Sequence, residues 1–305
     1  MFTSTKSILR KAQKGSYAIG HFNINNLEMV QAIVQAAAKL KSPVILATSE
    51  GAIHYAGIDY LYVLAKTASE QAKIPIALHL DHGRDMNIIK KAIQIGYSSV
   101  MIDASHEEFE KNIALTRKVV QMAHRRGVSV EAELGTIGGA EDTVKSRHIL
   151  YTDPAKAQEF IRRTGCDLLA IAIGTSHGAY KFTGKAHLRM DILKEVQRRV
   201  KIPLVLHGAS CVPLSAVKEA EKYGANLQGV QGVPDEQIRQ AIRQGICKIN
   251  TDTDLRIAFD AGVRKTILDH PAEFDPRHIL GPARDYMQKV VEHRIRLFGS
   301  GGKSR

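Results

Sequence analysis

The chain has 305 residues, 44% of them apolar, which is enough for one large domain with a sizeable core. Its formal net charge of +12 admits anionic partners. The paired arginines, however, lie near predicted helix ends, and no nucleic-acid motif is present, so phosphorylated metabolites are the expected anions. Three scattered cysteines without a CxxC spacing exclude a disulfide framework or thiolate zinc site and predict a cytoplasmic protein. No signal peptide and no apolar run of about 20 residues is visible, so no membrane contact is expected.

The first half of the chain alternates between strand-like and helix-like patterns. Strands are predicted at residues 17–23, 43–47, 75–82, 99–103 and 128–133. Helices are predicted between them, at about 26–40, 59–72, up to 95, and 109–126. Gly96 is expected to end the third of these helices.

One long break follows the fifth strand. Residues 135 to about 151 are rich in glycine and polar side chains and show no helical or strand period, which is typical of a functional lid or a disordered segment. The regular pattern resumes with Asp153 as N-cap and Pro154 in the first helical turn. Further strands are predicted at 168–173, 203–208 and 245–250, then helices at about 255–268 and 283–298 and a loose tail at 299–302.

Eight strand signals, mostly followed by helices, predict an eightfold β/α (TIM) barrel with an extra C-terminal helix. No internal linker is visible, so residues 1–305 are interpreted as a single domain. A doubly wound open sheet is the alternative, but no GxGxxG follows any strand to support a dinucleotide site.

Chemically active residues stand at the carboxyl ends of these strands. His82, His177 and His207 follow strands three, six and seven, and each precedes a glycine. In a barrel they would meet at one face, and three imidazoles with an open fourth position describe a catalytic zinc site. Any one of them alone is more often a structural histidine. Asp81, beside His82, is a candidate proton carrier.

Two more carboxylates end neighbouring strands. Asp103 and Glu133 follow the fourth and fifth strands. Either residue could fix the tautomer of a ligating histidine or bind a second cation. A helix cap or a lid contact explains them equally well, and the residues alone leave these alternatives open.

The segments after strands seven and eight have features of phosphate sites. Residues 208–210 offer small side chains and backbone amides, and residues 250–253 lead directly into a helix. Many barrels bind phosphate after these two strands, although ordinary helix capping is compatible with both segments. Arg256 lies one helical turn after Asp252, so both are predicted to face the site.

These motifs resemble those of class II, metal-dependent fructose-bisphosphate aldolase, over essentially the whole chain. The matching segments are His79-Leu80-Asp81-His82-Gly83, Met101-Ile102-Asp103-Ala104-Ser105, Val130-Glu131-Ala132-Glu133-Leu134-Gly135, Gly174-Thr175-Ser176-His177-Gly178, His207-Gly208-Ala209-Ser210, Asn250-Thr251-Asp252-Thr253-Asp254-Leu255-Arg256, Asp275-Pro276-Arg277 and Gly281-Pro282-Ala283-Arg284. Residues 138–142 match the family's lid loop, whereas the stretch 143–151 is shorter than in many relatives, a departure that concerns lid closure.

The resemblance implies a carbon–carbon lyase of glycolysis and gluconeogenesis. Such an enzyme would reversibly cleave D-fructose 1,6-bisphosphate to dihydroxyacetone phosphate and D-glyceraldehyde 3-phosphate through a metal-stabilised enediolate. The implied metal is zinc or another divalent ion such as cobalt, with a possible second cation. The implied ligands are His82, His177 and His207, with Asp103 and Glu133 beside them. Asp81 would carry the proton of the C4 hydroxyl, and Glu141 on the lid would handle the proton at the enediolate carbon.

The resemblance also implies substrate contacts and a homodimer or homotetramer. The ketone half's phosphate is assigned to Gly208, Ser210, Asn250 and Thr253, with Gly178, Ala209 and Thr251 as neighbouring substrate contacts. The aldehyde half's phosphate is assigned to Ser49, Arg256 and Arg277. Lys181 is either a lid or phosphate contact or an ordinary solvated lysine.

Two other enzymes fit the same barrel. Tagatose-bisphosphate aldolases resemble this chain, but they have an Asn-Val-Ala-Thr pattern where it has Asn250-Thr251-Asp252-Thr253. The carboxylate of Asp252 and the cation of Arg256 therefore favour the fructose sugar. A metal-dependent sugar-phosphate isomerase or epimerase is the alternative from another class. Nucleic-acid binding rests only on the net charge.

Overall fold

The computed structural model describes residues 2–141, 144–146, 150–178, 187–212, 214–227 and 230–304. The strands in these ranges are β1 (Ile19–Asn23), β2 (Val44–Ser49), β3 (Ile76–Gly83), β4 (Ser99–Ile102), β5 (Ser129–Leu134), β6 (Gly138–Glu141), β7 (Val144–Ser146), β8 (Leu168–Ile171), β9 (Ser176–His177), β10 (Leu204–Leu206) and β11 (Ile246–Thr251). The helices are α1 (Thr5–Gly15), α2 (Leu27–Lys39), α3 (Glu50–Ala56), α4 (Ile58–Gln71), α5 (Met86–Ile95), α6 (Phe109–His124), α7 (Pro154–Thr164), α8 (Met190–Arg199), α9 (Leu214–Lys222), α10 (Asp235–Arg243), α11 (Thr253–Asp269) and α12 (Pro276–Phe298).

Within the described ranges, eight parallel strands close into a barrel in the order β1-β11-β10-β8-β5-β4-β3-β2. The predicted β/α barrel is therefore confirmed, and the doubly wound open sheet is wrong. The extra C-terminal helix is present as α12, which packs along α11 and α2. Two predicted caps are confirmed: Asp153 caps the start of α7 and Gly96 the end of α5. Asn26 likewise caps the start of α2.

The barrel lumen has an apolar layer at one end and a polar layer at the other. Because side chains alternate along a strand, each strand sends every second residue inward. On β1 the inward residues run from apolar Ile19 to His21 and Asn23, and all three are buried. At the apolar end, Leu9 and neighbouring residues of α1 pack against the lumen residues of six strands. Helix α1, which the sequence analysis did not predict, therefore plugs the end of the barrel opposite the polar layer.

Several boundaries differ from the sequence prediction because tertiary contacts decide them. Helix α3 precedes the predicted helix at 59–72 as a separate element. Helix α12 begins at Pro276 rather than 283, capped by Asp275, and continues through Pro282. The tail at 299–302 is not loose: the amide of Gly302 donates to the carbonyl of Leu40 at 2.9 Å.

The long break between β5 and α7 contains regular structure. Strand β6 pairs with β7 and, on its other side, with β9, in a small three-stranded sheet. The prediction of no strand period at 135–151 is therefore wrong for these residues. Short, glycine-rich strands lack the alternation that marks a strand in sequence, and here pairing with β9 defines them. In the described ranges, no helix is both long and apolar enough to span a bilayer.

Candidate active site

Three histidines converge in the polar end of the lumen. His82 ends β3, His177 ends β9, and His207 follows β10; all three side chains are buried. Their potential ligand atoms lie within 4.8 Å of one another. The ring of His82 stands edge-on to both others, with centroids 4.9 Å from His177 and 4.7 Å from His207.

Hydrogen bonds define which ring nitrogens face the centre of this cluster. His207 Nε2 lies 2.7 Å from Glu131 Oε1, and His82 Nδ1 lies 3.1 Å from Asp103 Oδ2, so these nitrogens carry the protons. The lone pairs of His82 Nε2 and His207 Nδ1 then face each other at 3.0 Å. Two lone pairs at this distance need a cation or a proton between them, and this donor set fits a divalent metal.

The electrostatics of the cluster favour positive charge at the same point. Burial alone would lower the pKa of His82, but Asp81 and Asp103 outweigh it and raise the pKa to about 10. Burial lowers the pKa of His207 to about 4, in spite of its hydrogen bond to Glu131. The cluster therefore attracts one positive charge at His82 but disfavours a second at His207.

A local backbone bend aims Asp81 and His82 at different partners. His82 has a left-handed φ of 46°, and the pairing of β3 with β4 shifts register between Leu80 and Gly83. A side chain other than glycine adopts this conformation only when its surroundings compensate for it. On a regular strand, alternation alone would point two adjacent side chains in opposite directions. Here the bend at His82 separates the side chains of Asp81 and His82.

Asp81 is held by two asparagines. Asn23 Nδ2 donates to Asp81 Oδ2 at 3.1 Å, and Asn250 Nδ2 donates to Oδ1 at 3.2 Å. Burial alone would raise the pKa of Asp81, but the neighbouring His21 and His82 outweigh it and hold that pKa well below its usual range. The carboxylate is thus ionised and fixed in orientation.

Asp103 and Glu133 differ in how fully they are bonded. Asp103 Oδ2 accepts from His82 and from Arg84, whose Nη2 lies 2.9 Å away, while Oδ1 accepts from Ser105 Oγ at 2.8 Å. Glu133 is buried, with Oε2 lacking a hydrogen-bond partner in the described part of the chain. Burial and the charge of Asp103 raise the pKa of Glu133 to about 8. Both lie with His82 in a second group of ligand atoms within 4.8 Å.

Two glycines enclose the strand that carries His177. A Cβ on Gly139 would lie 2.3 Å from the carbonyl of His177, and a Cβ on Gly208 would lie 2.7 Å from that of Ser176. Both glycines have positive φ, so other residues would also be strained there. The backbone of Glu141 lies two residues beyond Gly139 in β6, and β6 pairs with the strand that carries His177.

Other predicted site residues surround this cluster. Ala209 and Ser210 are buried after β10, and Gly178 follows His177 with a positive φ of 84°. Thr251 is the buried last residue of β11, and Thr253 is the buried first residue of α11. The side chain of Glu141 and the whole of Lys181 lie outside the described part of the structure.

The predicted contacts for the second phosphate are only partly brought together. Ser49 is the N-cap of α3, and Arg256 lines a cavity of about 430 Å³ together with Gly51 and Ala52 of that helix. Arg277 lies in the first turn of α12, 84% exposed, with its guanidinium on Asp275. The structure therefore brings Arg256 close to the helix that Ser49 begins, but not Arg277.

Several polar residues of the lumen were not predicted from the sequence. His21, Glu131 and Lys248 are buried one layer deeper than the proposed catalytic residues, Asn23 is buried beside Asp81, and Arg84 lies at the rim. The available signal was polar alternation inside apolar strands, as in the pairs 21 and 23, 131 and 133, and 248 and 250. This alternation indicates a polar layer inside the barrel only once those strands are known to line the same lumen.

Comparison with known proteins agrees with this geometry. The family model described as "Fructose-bisphosphate aldolase class-II" matches residues 3–303. A fructose-bisphosphate aldolase from Thermus caldophilus is 48% identical over 306 aligned positions, which cover 100% of both chains. One from Giardia intestinalis is 47% identical over 300 positions, 97% of this chain and 93% of the other. The crystal structure of the YdjI aldolase from Escherichia coli K12 superposes with a TM-score of 0.81 at 34% identity, covering 100% of both chains. The chain belongs to the class II fructose-bisphosphate aldolase family, whose members are metal-dependent lyases.

Proposed function

We propose that this protein reversibly cleaves D-fructose 1,6-bisphosphate to dihydroxyacetone phosphate and D-glyceraldehyde 3-phosphate. The observation that carries the proposal is the convergence of three buried imidazoles beside the Asp81 carboxylate, which accepts hydrogen bonds from two amide groups. The chain that holds this site matches the family over residues 3–303. His82, His177 and His207 are the proposed ligands of the catalytic metal.

A divalent metal held there supplies Lewis-acid polarisation of the substrate's ketone oxygen and the neighbouring hydroxyl. Zinc is the proposed ion, and cobalt or another ion that accepts imidazole would also suit this site. Asp103 holds His82, and Glu131 holds His207, in the tautomers that present their lone pairs.

Asp81 is the proposed proton carrier for the C4 hydroxyl. In cleavage its ionised carboxylate takes that proton, and in condensation it returns the proton to the aldehyde oxygen. The two amides support this role because they fix the carboxylate without neutralising it. Glu141 is proposed to handle the proton at the carbon left by cleavage, since the backbone of β6 runs beside His177.

The two phosphates are proposed to bind on opposite sides of this centre. The ketone half's phosphate would contact Gly208, Ser210, Asn250 and Thr253, with Gly178, Ala209 and Thr251 as neighbouring substrate contacts. Lys181 is proposed as a lid or phosphate contact. The aldehyde half's phosphate would contact Ser49 and Arg256 across the cavity beside α3. A contact of Arg277 with this phosphate stays a prediction. Asp252 is proposed to accept a hydrogen bond from a sugar hydroxyl and so to discriminate its stereochemistry.

A second cation at Asp103 and Glu133 is disfavoured by the contacts of Asp103. Its carboxylate already accepts hydrogen bonds from His82, Arg84 and Ser105. We propose that Arg84 supplies the positive charge on this side of the site and that Asp103 and Glu133 orient His82 and its surroundings.

We further propose a homodimer or homotetramer that works in the cytoplasm. Tyr55 on α3 and Tyr60 on α4 are 80% and 77% exposed in the single chain. Such large exposed side chains support an interface with a second copy at this surface. The three free cysteines fit a reducing compartment.

The proposal is tested by a coupled assay for triose phosphates. The substrates are fructose 1,6-bisphosphate and tagatose 1,6-bisphosphate, each with and without a chelator. We expect chelator-sensitive release of triose phosphate, faster from the fructose sugar. Isomerised sugar without free triose phosphate would favour the isomerase class, and a faster reaction with tagatose 1,6-bisphosphate would overturn the choice of sugar.

A further inference from the structure

A buried lysine lies directly beneath the proposed catalytic residues. Lys248, on β11, has a fully buried side chain, and its Nζ lies 2.9 Å from Glu131 Oε2 and 2.8 Å from Asn250 Oδ1. A buried ammonium group is tolerated only when it is paired and hydrogen-bonded, and these two contacts meet that need. Each contact leads to a different part of the proposed chemistry.

The first contact leads to the metal ligand His207. The two oxygens of Glu131 are divided between partners: Oε2 faces Lys248, and Oε1 accepts from His207 Nε2 at 2.7 Å. Lys248 therefore fixes the rotation of this carboxylate and balances its charge. The carboxylate in turn fixes the ring of His207, so that Nδ1 faces the centre of the three histidines.

The second contact leads to the proton carrier Asp81. A lysine ammonium group can only donate, so the atom of Asn250 that faces it is the carbonyl oxygen Oδ1. The amide nitrogen Nδ2 must then face Asp81 Oδ1, 3.2 Å away. The opposite orientation would place an oxygen against the Asp81 carboxylate. Lys248 thus decides which way the Asn250 amide points.

The neighbouring strand repeats this arrangement on the other oxygen of Asp81. His21 Nε2 lies 2.9 Å from Asn23 Oδ1, and Asn23 Nδ2 donates to Asp81 Oδ2 at 3.1 Å. Strands β1 and β11 pair directly, with His21 opposite Asn250. Each oxygen of Asp81 is therefore held by an asparagine whose orientation is set by a donor one layer deeper.

We propose that Lys248 is a positioning residue for both parts of the reaction, acting on His207 through Glu131 and on Asp81 through Asn250. This inference rests on the proposed aldolase function. Metal affinity, however, is measured without substrate. A wild-type protein that binds metal but releases no triose phosphate would therefore overturn the proposed function. The effect of Lys248 on His207 through Glu131 could still be tested in that protein.

Two variants and one matched control separate positioning from stability. Lys248→Met removes the ammonium group and keeps the length of the side chain. Lys248→Met/Glu131→Gln removes both buried charges, so that a folded variant is available if the single change does not fold. The control is Asp167→Asn, a buried carboxylate on Lys6 at 2.6 Å, located just before β8 at the opposite end of the barrel.

Three quantities are measured on metal-loaded protein: melting temperature, affinity for zinc by chelator competition, and kcat and KM for fructose 1,6-bisphosphate at saturating zinc. In the Lys248 variants we expect zinc affinity to fall about 10–100-fold, the usual effect of losing a partner of a metal ligand. We also expect kcat to fall at least about tenfold with a smaller change in KM, because Asp81 is misoriented. Asp167→Asn should lower only the melting temperature.

Lys248 variants that behave like the control, with wild-type zinc affinity and kcat, would overturn the proposal. A loss of zinc affinity with normal kcat would overturn the proposed effect of Lys248 on Asp81 through Asn250. A loss of kcat with normal zinc affinity would overturn its proposed effect on His207 through Glu131.

Discussion

The carboxylate of Asp252 bonds to the guanidinium of Arg256 instead of capping the helix that it precedes. Arg256 Nε lies 3.0 Å from Oδ1, and Nη2 lies 2.6 Å from Oδ2. Asp252 occupies the N-cap position of α11 but makes no capping hydrogen bond with its side chain. The explanation of Asp252 as an ordinary cap is therefore wrong, and a role at the substrate gains weight.

Asp252→Ala should change substrate preference. If the carboxylate accepts a hydrogen bond from a sugar hydroxyl, its loss lowers kcat/KM for fructose 1,6-bisphosphate about 10–100-fold. The effect on tagatose 1,6-bisphosphate should be smaller, because a misplaced hydroxyl does not make that bond. The measurement is kcat/KM for both sugars. Asp260→Ala is the matched control, since Asp260 pairs with Arg264 at the same spacing on the same helix. An unchanged ratio of the two sugars would remove Asp252 from sugar discrimination.

His207→Ala should remove the metal. Two imidazoles remain, and Glu131 loses its partner in the site, so we expect most bound metal and nearly all activity to be lost while the barrel stays folded. Metal content per chain after dialysis is the measurement, with circular dichroism as the fold control. His278→Ala, at a side chain 65% exposed, should keep wild-type metal content. Full activity in metal-free enzyme, or trapping of a substrate imine by borohydride, would contradict the metal mechanism.

Asp81→Asn should separate proton transfer from metal binding. An amide cannot accept the C4 proton, so we expect cleavage to fall about 10²–10⁴-fold, the usual contribution of a general base. Metal content should stay near wild type, because Asp81 contacts Asn23 and Asn250 rather than the ligand nitrogens of the cluster. Metal content that falls in parallel with activity would make Asp81 a ligand instead.

Arg84→Ala should reveal a second cation site. In the wild type the guanidinium and His82 both donate to Asp103 Oδ2, so we expect one tightly held divalent ion per chain. Removing the guanidinium leaves Asp103 and Glu133 with less positive charge nearby, and a second, weaker ion should then bind. The number of ions is counted by elemental analysis at increasing zinc concentration. Two tight ions in the wild type would show that Arg84 does not replace a cation.

Asp167→Asn should reduce the acid sensitivity of the fold. Burial alone would raise the pKa of Asp167, but Lys6, the amide of Val130 and His124 outweigh it and lower that pKa. A carboxyl group with a depressed folded-state pKa stabilises the protein above its ordinary pKa, and this contribution is lost as pH falls through the folded value. The variant should therefore melt below the wild type at pH 7, and the difference should shrink as pH drops below about 4. A difference that is constant from pH 7 to pH 3 would exclude this ionisation as the cause.

Local sequence patterns were sufficient to predict the eight barrel strands, most of the helices around them and three histidines at strand ends. Those features are local: an apolar strand period, a cap such as Asp153, and a His-Gly pair each lie within a few residues. They were sufficient to predict the barrel, and the resemblance of the motifs was sufficient to predict the family.

The polar residues that support the site could not be predicted from local patterns, because their contacts join distant segments of the chain. The contact of Lys248 with Glu131 joins residues that are far apart in sequence, and it exists because β11 and β5 send side chains into one lumen. The same holds for the plug formed by α1, for strand β6, which is defined by its pairing with β9, and for the ion pair of Asp252 with Arg256 in place of a helix cap. Each depends on how the closed barrel brings distant segments together, a choice that local periodicity does not encode.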